Sequence, residues 1–513
     1  MIFDLNEASA DCTLSCDVAV VGAGIAGSIL ACELARTGRR VVLLESGGRT
    51  QEGETHPLNR VVQGADEYRG AEHGRFRCLG GTSTRWGGAL IPFQREDIEP
   101  DWPLDFAELA AQLERAERLF AVPHGPYELA AEDRALGASS AQFRVRAAKW
   151  PGFRRRNVAR LLETSLESPG GPAVWLNAHL TAMKLDDNGR VSGLEARGSH
   201  AALRLAASEV VIAAGAIEST RLLLKLDADL GGRLSNGSDC LGRYFHDHLS
   251  APVAQIVRPR RRELTRLTGF RFEGSAMRNV RFELDGGMRR EAALPGAFVH
   301  VASNSRTADG FDALRGIYRS VQRRALPSAA DIGQLAVNAG WLSRAAWTRF
   351  VHQRVLPPDS CDFETHLVIE QVPVAGNRIS LSPDQRDAFG VPLAHIKWRV
   401  SDTDLRNAQS VLAAFAKYWS GNARALLGDL ALYPRDQWAE SLMRGGGIYH
   451  PGGTLRLAAT RSNGVVDADL RVFGVPNLRV LSTAVFPNGG SANPTLMLIL
   501  FALRAADQLS AGS

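Results

Sequence analysis

DVAVVGAGIAGSILACELARTGRRVVLLE, residues 17–45, decides the fold. Asp17–Val21 reads as a short, buried parallel strand. Gly22-Ala23-Gly24-Ile25-Ala26-Gly27 follows at once, then a helical pattern through Leu34. A second apolar run, Val41–Leu44, ends in Glu45. The order is strand, G-x-G-x-x-G, helix, strand, acid. Each part has a physical reason. Gly22 permits the tight turn, Gly24 lets a pyrophosphate approach the backbone, and Gly27 lets helix and strand pack closely. The free N–H groups at Ile25 and Ala26 then face the phosphates. Glu45, with Ser46 beside it, can accept the hydroxyls of an adenosine ribose. A glycine-rich turn from an unrelated fold would not also supply the second strand and the acid. A carboxylate at Glu45 disfavours a 2′-phosphate, so NADP is not expected.

That fingerprint alone does not separate FAD from NAD. A second glycine cluster follows at Arg77–Gly88, with Gly80, Gly81, Gly87 and Gly88 around Thr82, Ser83, Thr84 and Trp86. Such a segment can be a tight loop, or it can bring its backbone against a large planar ligand. Further on, EVVIAA (Glu209–Ala214) reads as a strand. It turns at Gly215 into a helix, which again puts free N–H groups beside a ligand, with Ala214 and Gly215 at the turn.

The C-terminal part, Gly447–Ser510, opens on His450 between glycines and prolines. It closes on Asn493-Pro494-Thr495, just before an apolar run with helical spacing (Leu496, Ile499, Leu500, Leu503). Asn493 is placed as an N-cap and Pro494 as the first helical residue. A helix start therefore lies beside a side-chain amide.

The fingerprint, the GGTSTRWGG loop (Gly80–Gly88) and the His450…Asn493 ending resemble the glucose–methanol–choline (GMC) oxidoreductases, which oxidise alcohols with FAD. The GGTSTRWGG wording and VFGVPNLRV…GGSANPT look most like the branch of pyranose 2-oxidase and bacterial sugar 3-dehydrogenases. The resemblance covers both ends and the Ala214–Leu224 element, and is loose in the middle. It implies that His450 takes the alcohol proton while the flavin takes hydride, with Asn493 as partner. A neutral imidazole suits proton acceptance near pH 7. The resemblance also implies that Ser482, Pro494 and Thr495 lie against the flavin and that the backbone near Leu180 holds the adenine edge. In the pyranose 2-oxidase branch, a histidine bonded covalently to the flavin matches Arg85. Arginine cannot form that bond, so FAD is expected to be non-covalent. The expected substrate is a secondary alcohol of a sugar, glycoside or polyol. The alternatives are an apolar natural-product or steroid alcohol, and a non-redox flavin lyase. Oxygen, a quinone or a redox protein would take the electrons.

Around this frame, the totals are ordinary. The chain has 513 residues, 45% hydrophobic and 22% charged, with net charge +5. That modest excess fits a solvated surface and gives no case for nucleic acid. Six scattered cysteines without a C-x-x-C pair disfavour disulfides and zinc. His246-Asp247-His248 suggests a metal, but no third ligand set is near in sequence, and the family carries a similar stretch without one. The expectation is a packed loop near the flavin and no metal. No signal peptide or membrane-length apolar run is seen, so a cytoplasmic protein is expected.

The middle of the chain changes character. Asp101–Phe120 and Trp150–Leu162 read as helical, and Val174–Leu185 as a strand. Phe270–Leu284, Ala297–Ser303, Phe363–Val372, Asn377–Ser382 and Pro392–Val400 read as strands, and Asp312–Ala325 and Ile332–Val355 as Arg-rich helices. Those helices fit a solvated face, docking to a membrane or cytochrome-like partner, or a lid. The expected fold class is α/β: a Rossmann-type FAD-binding domain with an inserted α+β substrate domain on a mostly antiparallel sheet. The FAD domain would comprise 1–100, 151–250 and 445–513, and the substrate domain 101–150 and 251–444.

Overall fold

The computed structural model describes residues 1–511 except 52, 65, 100, 130–139, 306–325, 327 and 446. The nucleotide side begins with β1 (Ile2–Asp4), β2 (Cys12–Val21), α1 (Ile25–Arg36) and β3 (Val41–Leu44). After β4 (Phe143–Trp150), β5 (Ala173–Leu176), β6 (His179–Leu185), β7 (Val191–Arg197), β8 (Ala202–Ile212) and α2 (Gly215–Asp229) extend it. The part expected to bind substrate comprises β9 (His248–Val257), β10 (Ala276–Leu284), β11 (Ala297–Ser305), β12 (Cys361–Glu370) and α3 (Asp402–Tyr418). The chain then returns with β13 (Leu478–Val480) and α4 (Thr495–Ala511).

The first sheet has the order β1-β5-β3-β2-β8-β7-β6, with β13 pairing β8. Val18–Val21 pair in parallel with Val41–Leu44 on one side and Glu209–Ile212 on the other. Val18–Val21 are buried, as a parallel strand covered on both faces must be. The C-terminal helix α4 closes this side, and Arg39 Nη2 of the α1 side donates to Leu509 O at 2.8 Å.

The second sheet is antiparallel: β10, β11, β12 and β9 run side by side, flanked by Arg271–Glu273 and Asp429–Leu432, and β4 pairs β10. Side chains alternate across it. Val280, Phe282, Val299, Leu367, Ile369 and Leu249 form one face and pack with Phe415, Tyr418 and Trp419 into a second core. His248, Arg281, His300, His366 and Glu370 take the other face. Helix α3 starts at a capping box in which Ser401 Oγ accepts from Asp404 N and Asp404 accepts from Ser401 N.

Several elements differ from the sequence reading, each for a local reason. Phe270–Leu284 is a hairpin broken at Gly274, which has φ 64°. Val174–Leu185 breaks at Asn177, φ 52°, a conformation asparagine tolerates. Trp150 ends β4, because Pro151-Gly152 stops the strand; two short helices, Phe153–Arg156 and Val158–Leu161, follow. The Ile332–Val355 helix is two helices, Ala329–Val337 and Ala339–Val351, with Trp347 and Phe350 exposed. The expected helix at 312–325 lies outside the described residues. Residues expected within the substrate side at 101–150 divide. β4 joins the second sheet, whereas Leu109, Ala116 and Phe120 bury in the nucleotide-side core, and Arg115 pairs Asp507 at 2.7 Å. Among the described residues, no helix is long and apolar enough to cross a membrane.

Candidate active site

One cavity of about 590 Å³ runs from the β2–α1 turn to the start of α4. At its nucleotide end the three glycines divide their work. Gly22, φ 105°, passes so close to β8 that a Cβ would stand 2.6 Å from Ala213 O. A Cβ on Gly27 would stand 1.9 Å from Gly22 O, so this glycine seats the helix. A Cβ on Gly24 would meet nothing within 4 Å: the backbone there borders open space. No side chain caps α1, so its first N–H groups remain for a ligand. That cradle fits the pyrophosphate of a dinucleotide.

Glu45 is held by Ala23 N and Gly47 N, each at 2.9 Å, and burial raises its pKa. Oε1 also accepts from Ser46 Oγ at 3.4 Å, and Oε2 keeps a lone pair for a ribose hydroxyl. Arg77 braces this end: it donates to Ser46 Oγ and Asn59 Oδ1 at 2.8 Å and to Glu218 at 2.7 Å. The sequence reading missed Asn59 and Glu218. Only a buried acid in the first turn of a helix would have flagged Glu218.

Farther along, the cavity is walled by Gly81, Thr82, Arg85, Trp86, Gly87, Gly88, Ala214, Gly215, Ser482, Pro494 and Thr495. Ile25, Ala26 and Ser46 also line it. Four expected contacts do not. Gly27 is spent on packing. Gly80 donates its N–H to Ala23 O at 2.9 Å. Ser83 Oγ donates to Gly80 O and accepts from Val158 N, so it ties the loop to the chain behind it. Leu180 is buried in the nucleotide-side core. Ser482 lines the wall, but its Oγ accepts from Ala484 N at 3.2 Å.

At the far end stand His450 and Asn493, with Nε2 and Nδ2 3.4 Å apart. Asn493 does not cap α4, as its position in sequence suggests. The helix starts at Thr495, and Asn493 Oδ1 is buried without a partner. Its amide is directed at the cavity instead.

A chain of hydrogen bonds fixes the imidazole. His248 Nε2 donates to Gly490 O at 3.0 Å, since a carbonyl only accepts. Burial lowers the His248 pKa to about 4, so this ring is neutral near pH 7 and its Nδ1 is an acceptor. His450 Nδ1, 3.3 Å away, therefore carries a proton and donates it to that atom. His450 Nε2 therefore carries a lone pair at the cavity, where it accepts from Asn493 Nδ2 at 3.4 Å. Burial, then His248 and Arg281, hold the His450 pKa well below the usual imidazole value.

Asp247 supports this from below. It accepts from Tyr68 Oη at 2.5 Å, from His248 N at 2.7 Å and from His450 N. Burial raises its pKa to about 7. Asp247, His248 and His450 place possible ligand atoms within 4.8 Å of one another. The donors already on Asp247, and the carbonyl on His248, make this cluster a brace for His450. The H-x-H stretch was the sequence signal, and its neighbour across 202 residues of chain could not be read from spacing.

A larger, more open groove of about 920 Å³ lies between Arg261–Glu273 and Thr348–Asp359. None of the residues of the dinucleotide cavity or of the His450 cluster lines it.

A dinucleotide cradle continuous with a neutral imidazole and a side-chain amide fits an FAD-dependent oxidoreductase, and residues 17–271 match the FAD dependent oxidoreductase family model. Residues 373–502 match the GMC oxidoreductase model, and the chain belongs to this family of enzymes acting on alcohol groups. It is 23% identical to 2-methyl-1,2-propanediol dehydrogenase of Mycolicibacterium austroafricanum, over 96% of this chain and 95% of that one. It is also 23% identical to the fructose dehydrogenase large subunit of Gluconobacter japonicus, over 97% and 98%. Among solved structures, pyridoxine 4-oxidase from Mesorbium loti superposes with TM-score 0.60 at 17% identity, covering 96% of this chain and 99% of the other, a likeness of fold.

Proposed function

We propose that this enzyme oxidises a secondary alcohol of a sugar, glycoside or polyol to a ketone. The observation that carries this reading is the pair His450 Nε2 and Asn493 Nδ2, 3.4 Å apart, at one end of the dinucleotide cavity. His450 Nε2 accepts the hydroxyl proton. Asn493 orients the hydroxyl oxygen by hydrogen bonding without competing for that proton. His248 keeps the imidazole in the tautomer that can accept, and Asp247 holds its backbone. FAD, held along Gly22–Gly27, Glu45 and the Gly80–Gly88 loop, supplies the hydride acceptor. The choice of a sugar or polyol rests on the relatives, whose names include a fructose and a diol dehydrogenase. The electron acceptor is oxygen, a quinone or a redox protein.

A panel of methyl glycosides and polyols, assayed with a dye acceptor and then with oxygen, tests the substrate class. A ketone product from at least one member is expected; turnover only of apolar alcohols, or a product formed without net oxidation, contradicts it. Arg85 lines the cavity and cannot bond to the flavin, so FAD is held non-covalently. Acid precipitation should leave a colourless pellet under a yellow supernatant; a yellow pellet contradicts this.

A further inference from the structure

On the sheet face that carries His248, one row of side chains has no role in the chemistry above. Phe282 lies opposite Val299, which sets Arg281 beside His300, and His300 lies opposite His366. The two imidazole rings stack at 5.3 Å and 29°. The Arg281 guanidinium lies over the Phe298 ring at 4.1 Å. Arg281 is only 5% exposed, and its Nη1 is buried without a hydrogen-bond partner, as is His300 Nδ1. His366 Nε2 also lacks a hydrogen bond; it stands 3.4 Å from Glu364, which accepts from Tyr433 Oη at 2.6 Å.

The acids near this row are already engaged. Glu283 accepts from Arg146 Nη1 at 2.6 Å. Asp97 pairs Arg289 and accepts from Ser491 N. Glu370 accepts from Gly296 N at 3.0 Å and Gly489 N at 2.8 Å. Among the described residues, Arg281 thus forms no ion pair. Burial lowers its pKa only to about 10, so it stays cationic near pH 7. Its charge reaches the reaction centre, because it helps to depress both His248 and His450. The acid acting on it through space is Glu283, which is already paired with Arg146, and a buried cation compensated only in part is costly. Stacking on Phe298 satisfies the face of the guanidinium but not the N–H groups at its edge.

We propose that Arg281, with the His300–His366 pair, binds an anionic substituent of the substrate, a carboxylate or a phosphate, while the alcohol is presented to His450. This rests on the reading of the chain as a sugar or polyol oxidoreductase and narrows it to acidic sugars. Guanidinium is the group whose planar fork matches either oxyanion. The neutral imidazole of His300 can add one donor.

The test uses the FAD-loaded enzyme, with Arg281→Gln and Arg281→Lys. Methyl β-D-glucuronide, glucose 6-phosphate and methyl β-D-glucoside are compared as substrates. Perturbation of the oxidised flavin spectrum by D-glucuronate and by inorganic phosphate is titrated in parallel. The wild type should favour one acidic sugar over the neutral glycoside by on the order of 10–100-fold in kcat/KM. Arg281→Gln should lose that preference, whatever it does to the rate with the neutral glycoside through His450, and Arg281→Lys should keep part of it. Which acidic sugar wins identifies carboxylate or phosphate. Saturable anion binding should vanish in Arg281→Gln. Anion binding or acid preference that is absent from the wild type, or equal in Arg281→Gln, overturns the proposal. Arg281-dependent anion binding with no flavin reduction by any sugar would keep the anion site and reject the redox reading, so the two fail separately.

Discussion

Replacing His450 with alanine should leave FAD bound and slow the oxidation of substrate by roughly 10²–10⁴-fold, the range of a lost general base. The His450 side chain lines the cavity, with Nε2 3.4 Å from Asn493 Nδ2. Its removal deletes the proton acceptor while the dinucleotide cradle, more than a side chain away, is untouched. The pH dependence follows with a definite sign. The base works unprotonated, so the rate falls as the pH falls through its pKa. Burial, His248 and Arg281 hold that pKa below the ordinary imidazole value, so the acid limb of kcat/KM should lie below about pH 6.5. His450→Ala should lose that limb along with the rate. Single-turnover kinetics across pH checks both, and a variant working at near wild-type rate would remove His450 from the mechanism.

Gly24→Val should cost FAD affinity on the order of a hundredfold, about 2.8 kcal/mol, in a chain that still folds. The backbone at Gly24, φ −75° and ψ −165°, is open to any residue. Its Cβ direction is clear of protein atoms to 4 Å. A branched side chain would fill the space left for the pyrophosphate. Gly27→Ala makes the contrast: its Cβ would run into Gly22 O, so the fold itself should suffer. Flavin titration of the apoprotein, with circular dichroism and thermal melting, separates the two. A Gly24→Val protein that takes up FAD like the wild type would place the dinucleotide elsewhere.

The nucleotide side was legible in the sequence because its constraints are local. Gly22, Gly24, Gly27 and Glu45 fall within one strand–turn–helix–strand unit, and a parallel sheet marks itself by uninterrupted apolar runs such as Val18–Val21. His450 and Asn493 were marked by the glycines and prolines around them and by the apolar helix that follows. What stayed hidden depends on contacts distant in sequence. β4 (Phe143–Trp150) drew no assignment, because alternation holds only over Phe143–Ala147 and ends at Ala148. Lys149 is nonetheless fully buried, paired with Glu117 at 2.5 Å. Helix α3 went unread, although its Ser401/Asp404 capping box was in plain view. His248 was visible as half of an H-x-H pair, yet its role comes from Gly490 on one side and His450 on the other. Ser83 shows the reverse: the Gly80–Gly88 cluster offered it as a cofactor contact, and the fold uses its hydroxyl to tie down a loop.

The proposed mechanism requires the imidazole and amide to share a point above a redox-active flavin. The most direct measurement is rapid anaerobic mixing of the FAD-loaded protein with an alcohol that it turns over. The visible absorption of the bound flavin should bleach in a single turnover, and the bleaching should slow by the same factor in His450→Ala as steady-state turnover does. Flavin that keeps its colour while the substrate is consumed would contradict the account.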